Sequence, residues 1–172
     1  QKALAVPPGM SFIVLSEKAL QRVENSTVKS MYFCLRDYLN NMLRGQTPFT
    51  PAVGTLLQLH ARLKQLEEFG IENENARIKQ LAEDFRKKVA PLGFSFFAEN
   101  MSNAVTALKV NGEVSAHSIF EILKNEYGIF ICPNGGELKD TVFRVGHIGA
   151  LTTADNDILV DALLDLKRKG RI

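Results

Sequence analysis

The chain has 172 residues, of which 45% are hydrophobic and 23% charged, the composition of an ordinary globular protein. Its formal net charge of +2 gives no support to nucleic-acid or membrane partners, and no apolar run reaches the roughly 20 residues that span a bilayer. Its two cysteines, Cys34 and Cys132, lie far apart without metal-ligand spacing, which predicts a reducing, cytoplasmic setting.

Predicted elements are sparse in the first 70 residues. The apolar run SFIVLS at 11–16 has the length of a strand. The clearest helix is predicted to have Thr50 as its N-cap, Pro51 at its first position and Gly70 after its end. Its apolar stripe at three-and-four spacing consists of Val53, Leu56, Leu57, Leu59, Leu63 and Leu66. Because a single strand has no partner here, we expect the chain to be the later part of a larger protein.

Beyond residue 70 the pattern predicts a helix and then a small α/β sandwich of order β-β-α-β-β-α, with helices on one face of a sheet. Ser115 is expected to cap the first sandwich helix and Gly128 to end it. Thr152 and Asp155 predict a capping box on the last helix. The expected buried face of that last helix consists of Ile158, Leu159, Ala162, Leu163 and Leu166.

The stretch QKALAVPPG places Lys2 before apolar residues, two prolines and a glycine that permits a tight turn. Read alone, a lysine at the second position is a mobile terminal charge. A lysine held in an apolar setting loses hydration, which favours the neutral amine, a nucleophile toward carbonyls.

The same stretch closely resembles the lysine motif of class V (fold type I) pyridoxal-phosphate aminotransferases, of the alanine/serine–glyoxylate (pyruvate) type. TPFTPAV, GFSFF, NAVTALKV and GIFICPNGGELKDTVFRVGHIGALT follow in the order of that family. The resemblance implies that Lys2 is the catalytic, Schiff-base (aldimine) lysine that binds pyridoxal 5′-phosphate. It also implies that 1–70 ends a large cofactor domain and that 71–172 is the small C-terminal domain.

The resemblance further implies that Thr50 binds the cofactor phosphate of a neighbouring subunit, and hence a homodimer with shared active sites. From its residues alone, TPFTPAV is only a helix start with free amides that favour an anion. Several relatives carry a tyrosine where this chain has Thr47, which keeps a hydroxyl on a shorter side chain.

Arg144 in VFRVG shares a strand face with Val142 and Gly146. An arginine there is either a snorkelling edge residue or a two-pronged ligand for a carboxylate. The resemblance implies the second role, substrate-carboxylate binding, and places Gly135 and Gly136 at the border of the site. His147 should point to the opposite face and is given no role.

The favoured reaction moves an amino group from a small amino acid, of alanine or serine type, to a 2-oxo acid such as glyoxylate or pyruvate. The end of the chain equally resembles 2-aminoethylphosphonate–pyruvate transaminases. Cysteine desulfurases share the fold and have a nucleophilic cysteine near the position of Cys132, but that residue is predicted to be a buried strand residue. The chain alone is expected to be a non-catalytic domain.

Overall fold

Two central strands, β2 (Val105–Lys109) and β4 (Val142–Gly146), run antiparallel over five paired residues. The short strands β1 (Ser95–Phe96) and β3 (Cys132–Pro133) flank them, giving a four-stranded sheet of order β1-β2-β4-β3. The computed structural model describes residues 1–172. The predicted order β-β-α-β-β-α is confirmed.

Six helices complete the chain, and none of them combines the length and the apolar character that crossing a bilayer requires. They are α1 (Glu17–Asn25), α2 (Leu35–Met42), α3 (Val53–Phe69), α4 (Ile71–Val89), α5 (Ala116–Tyr127) and α6 (Thr153–Arg168). The chain divides into two compact units, one of residues 1–5 with 62–172 and one of residues 6–61.

The core of the larger unit lies between one face of the sheet and helices α4, α5 and α6. Because side chains alternate along a strand, Leu108, Phe143 and Val145 all face this core. The helices contribute residues at three-and-four spacing, among them Phe85, Val89, Ile119, Leu123, Leu163 and Leu166. Each of these six is at most 1% exposed, so this unit has a continuous apolar interior.

Local cap signals set the helix ends as predicted. The Ser115 hydroxyl accepts a hydrogen bond from Ser118 N at 3.1 Å, and Gly128 ends α5 with a φ of +69°. Thr152 and Asp155 form the capping box of α6, with Asp155 Oδ2 accepting from Thr152 N at 2.7 Å. These caps satisfy backbone groups that a helix end leaves free.

The smaller unit corrects two predictions. Residues 11–16 form no strand, and Phe12, Ile13 and Val14 are 64% exposed or more. An extended segment becomes a strand only when a neighbour pairs with it, and the chain offers none there. Helix α3 begins at Val53 rather than at Pro51, and of its predicted stripe only Leu59 is buried.

One position of the predicted α6 face is also wrong. Ile158 is 59% exposed, whereas Leu159, Ala162, Leu163 and Leu166 are buried. Val160, which the predicted face does not include, is buried instead, so the buried face of α6 is shifted relative to the prediction.

Candidate functional site

Arg144 lies in the middle of β4, on the face of the sheet opposite the helical core. Its cross-strand partners are Ala107 on β2 and Cys132 on β3. Directly paired residues in an antiparallel ladder project to the same face, so the guanidinium lies between two small side chains. Gly146, two residues further along β4, adds no side chain to this face.

The guanidinium of Arg144 is only partly satisfied. Its Nη2 donates to Pro133 O at 3.0 Å, while Nε is buried and has no hydrogen-bond partner. Asn134 Nδ2 donates to Val142 O at 2.7 Å and so holds the segment that supplies the Pro133 carbonyl. Nη1 makes no hydrogen bond within the chain, so the guanidinium keeps donors for a ligand such as a carboxylate, which accepts two hydrogen bonds in one plane.

Cys132 is exposed, which overturns the prediction that it is a buried strand residue. Strand β3 has only two residues and lies at the sheet edge, so the core covers Ile131 and leaves the next side chain outside. Its Sγ lies 3.8 Å from Pro133 O, the same carbonyl that accepts from Arg144. The thiol and the guanidinium therefore belong to one surface.

The glycine loop predicted to border the site leads from β3 toward β4. Gly136 starts a short 3₁₀ helix (Gly136–Leu138) with a φ of +58°, a conformation that side chains disfavour. No atom lies within 4 Å of a Cβ built at Gly135 or Gly136, so space is open there.

A groove of about 500 Å³ lies at the edge of the sheet beside β3. Cys132 and Gly146 line it together with apolar residues of the segment before β3 and of α6, among them Phe130, Leu151 and Ile158. Its walls are largely apolar, and Arg144 does not line it.

Lys2 is exposed, which corrects the prediction of an apolar setting. Its carbonyl accepts a hydrogen bond from Ala5 N at 3.2 Å, closing a turn in which Ala5 has a φ of +54°. The Lys2 side chain makes no hydrogen bond or ion pair within the chain.

Thr50 lies in the smaller unit and is not the N-cap that the sequence predicted. Because α3 begins at Val53, Thr50 is an exposed residue of the loop before it, and its hydroxyl makes no hydrogen bond. Thr47 donates to Phe49 O at 2.6 Å. Within the same unit, Gly9 lies against the first turn of α3, since a Cβ at Gly9 would lie 3.8 Å from Thr55 Oγ1.

His147 faces the core, as predicted. Its Nε2 lies 2.8 Å from Thr106 Oγ1, which also accepts a hydrogen bond from Arg86 Nε at 2.9 Å. Burial, together with the Arg86 charge, lowers the pKa of His147 to about 4. The imidazole is therefore neutral at physiological pH and holds the end of β4 as a structural group.

Sequence reasoning missed the buried carboxylate of Glu74, which pairs with Arg62 and Arg77. The spacing of Glu74 and Arg77 on a predicted helix signals a surface pair. Nothing local indicates that Arg77 also reaches the carbonyls of Gly149 and Leu151, more than 70 residues away.

Comparison with known proteins places the chain among aminotransferases. The profile of the family described as "Aminotransferase class I and II" matches residues 13–163. The L-aspartate–glyoxylate aminotransferase of Paracoccus denitrificans is 31% identical over 90% of this chain and 40% of its own length. A protein named "Soluble hydrogenase, small subunit" from a Synechococcus strain is 30% identical over 92% of this chain and 41% of its own length.

The fold is also that of a solved aminotransferase. The crystal structure of an alanine–glyoxylate aminotransferase from Nostoc superposes with a TM-score of 0.87 at 23% identity, covering 98% of this chain and 46% of that one. The chain thus spans about 40% of the length of the curated relatives it matches.

Proposed function

Because the chain belongs to the aminotransferase class I and II family, we propose that its protein is a pyridoxal-phosphate-dependent transaminase. The resemblance to fold type I aminotransferases predicted from the sequence is confirmed by this match. The proposed reaction moves an amino group from a small amino acid, of alanine or serine type, to a 2-oxo acid such as glyoxylate or pyruvate.

Enzymes of this family use pyridoxal 5′-phosphate, which acts as an electron sink for the substrate carbon when bound. The free, exposed amine of Lys2 fits the covalent attachment of that cofactor. We assign to Lys2 Nζ the removal of the α-proton from the amino donor and, in the second half of the reaction, the delivery of a proton to the α-carbon that comes from the 2-oxo acid. Thr50, with an unengaged hydroxyl before the free amides of α3, is proposed to bind the phosphate.

The observation that carries the proposal is the partly satisfied Arg144 guanidinium among small side chains. Its role is to bind the substrate carboxylate through paired N–H groups. An amino acid and its 2-oxo acid present the same carboxylate, so one arginine serves both halves of a transamination.

Glyoxylate is supported as an acceptor because the Paracoccus relative and the Nostoc structure are both named for it, although their named amino donors differ. 2-Aminoethylphosphonate with pyruvate is the alternative pair, in which Arg144 meets a phosphonate when the donor binds.

A second candidate, cysteine desulfuration, is favoured by one observation: Cys132 is exposed on the same face as Arg144. Sulfide release from cysteine that disappears in Cys132→Ala would support it. Transamination retained in Cys132→Ala without sulfide release would exclude it.

We further propose that the protein is a homodimer with shared active sites and lies in the cytoplasm. Within each subunit, 1–70 would end the large cofactor domain and 71–172 would form the small domain.

The decisive experiment uses the complete protein that contains this sequence, supplied with pyridoxal phosphate. Amino donors, including 2-aminoethylphosphonate, are screened against glyoxylate and pyruvate. Borohydride reduction should fix the cofactor on Lys2, as shown by peptide mapping, and Lys2→Ala should abolish turnover. Lys18→Ala, at another exposed lysine, is the control. A label on any other lysine would overturn the assignment.

A further inference from the structure

Glu74 is a carboxylate buried to 6% exposure near the start of α4. Its Oε1 accepts from Arg62 Nη2 at 2.8 Å and from Arg77 Nη2 at 3.0 Å, and its Oε2 accepts from Arg77 Nε at 2.8 Å. A buried carboxylate needs this degree of pairing to offset lost hydration. The hydrogen bonds from Arg77 keep the pKa of Glu74 below its ordinary value despite burial.

The pairing fixes the plane of the Arg77 guanidinium and aims its other edge at a loop. Arg77 Nη1 donates to Leu151 O and Nη2 donates to Gly149 O, both at 2.9 Å. Lysine cannot reproduce this arrangement, because it has no planar fork that donates to a carboxylate and to two carbonyls at once.

The loop that Arg77 holds, 147–152, joins β4 to α6 and so begins three residues after Arg144. Gly149 has a φ of +91°, a conformation that side chains disfavour, so the turn of this loop favours a glycine at that position. The other hydrogen bonds that restrain this loop lie at its ends: His147 N donates to Ala104 O, His147 Nε2 bonds the Thr106 hydroxyl, and Thr152 forms the capping box. Between those two ends, only Arg77 donates to the loop carbonyls.

We infer that Arg77, oriented by Glu74, is a positioning residue that holds loop 147–152. Through this loop it fixes the end of β4 and so keeps the Arg144 guanidinium in position to bind the substrate carboxylate. The inference rests on the proposed role of Arg144. It adds a contact from α4, a helix that contributes none of the proposed ligands.

The test is a kinetic double-mutant cycle in the complete protein with its cofactor. Arg77→Gln should raise the KM for glyoxylate or pyruvate about tenfold, with kcat changed less than about threefold and the cofactor absorbance kept. In an Arg144→Ala background the same change should raise KM less than about twofold, because the group that it positions is gone. Glu74→Gln, which keeps the side-chain shape, should also raise the KM. It replaces Arg77→Gln in the cycle if that variant fails to fold.

Lys167→Met is the matched control. Lys167 Nζ also donates to two loop carbonyls, Pro91 O and Leu92 O, but these lie at the opposite end of α6 from loop 147–152. This variant should lose thermal stability while its KM stays within about twofold of wild type.

Two results would overturn the inference while the proposed function stands. One is an unchanged KM in both Arg77→Gln and Glu74→Gln, in an enzyme that Arg144→Ala impairs. The other is an Arg77→Gln effect of equal size with and without Arg144. Wild-type turnover and the Arg144→Ala loss are measured first. If turnover is absent, the proposed function and this inference fail together; if only the Arg144→Ala loss is absent, the proposed role of Arg144 fails and this inference with it, while the proposed function stands.

Discussion

Cys132 and Arg144 face each other across the β3–β4 ladder, and Cys132 Sγ and Arg144 Nη2 both approach the carbonyl oxygen of Pro133. The thiol is exposed, and the guanidinium has an N–H without a partner. A ligand held by Arg144 on this face must therefore lie beside the thiol. Cys132 becomes a reporter of whether the proposed carboxylate site is occupied.

We predict that a saturating 2-oxo acid slows alkylation of Cys132 at least several-fold, because the bound carboxylate restricts access to the thiol. The measurement is the rate of iodoacetamide labelling followed by peptide mass spectrometry, with Cys34 as the internal control. Protection should disappear in Arg144→Ala. Equal protection of Cys132 with and without Arg144 would place the carboxylate elsewhere.

Truncation of Arg144 should impair both substrates of the reaction. Removing one side of a buried charge pair costs about 2–5 kcal/mol. That corresponds to a fall in kcat/KM of roughly 30-fold to several thousandfold for Arg144→Ala. Arg144→Lys should recover only part of the loss, since an ammonium lacks the two-pronged geometry.

The cofactor absorbance should be unchanged in Arg144→Ala, because Lys2 and Thr50 are the proposed cofactor ligands. Steady-state kinetics with the amino acid and with the 2-oxo acid check the prediction separately. A kcat/KM within about threefold of wild type for both substrates would reduce Arg144 to an edge-strand residue.

The sandwich could be predicted from the sequence because its signals are local. Ser115, Gly128 and the Thr152–Asp155 box mark helix ends through contacts within one turn. The period of two along β4 places Arg144 and His147 on opposite faces, and the structure agrees.

The errors concern properties that depend on distant parts of the chain. The run at 11–16 has strand composition but no partner strand, and Cys132 has an apolar sequence context but lies on an uncovered edge. The hydrogen bonds of Arg77 join α4 to carbonyls of the loop after β4, and no local sequence pattern predicts contacts between segments so far apart. The site residues implied by the resemblance therefore stay predictions, whereas the contacts of Arg77 had no signal in the sequence.

Thr50→Ala should weaken cofactor binding. A hydrogen bond to a charged group contributes about 1.5–3 kcal/mol, so the dissociation constant for pyridoxal phosphate should rise on the order of 10- to 100-fold. Thr47→Ala is the control, because the Thr47 hydroxyl already donates to Phe49 O. Equilibrium titration of the apoprotein measures both constants.

Mixed dimers test whether Thr50 acts across a subunit boundary. When a Lys2→Ala subunit pairs with a Thr50→Ala subunit, sharing between subunits puts both defects in one site and leaves the other site intact. Half of the sites should then bind cofactor with wild-type affinity. Mixed dimers without a wild-type site, or a fully active monomer, would show that Thr50 does not serve a neighbouring subunit.

The stability of the end of β4 should depend on pH through His147. This side chain is 1% exposed, and burial with the nearby Arg86 charge lowers its pKa from 6.5 to about 4. Between about pH 6.5 and pH 4, His147 is therefore protonated in the unfolded chain but neutral in the folded chain. Folded-state stability is complete above pH 6.5 and falls as the pH drops through that window.

At about 1.4 kcal/mol per pKa unit, the loss of folding stability attributable to His147 is about 2 kcal/mol at pH 5.

Hydrogen exchange of the peptide spanning 142–148, corrected for intrinsic rates, measures this loss of stability. The peptide contains the His147 amide, which donates to Ala104 O. His147→Gln removes the titrating group and should flatten the dependence between pH 6.5 and 5, whereas His60→Gln, at an exposed position, should leave it unchanged. A slope that persists between pH 6.5 and 5 in His147→Gln would assign the acid sensitivity to another group. A flat wild-type profile would mean that the imidazole becomes charged in the folded protein without cost, which its 1% exposure argues against.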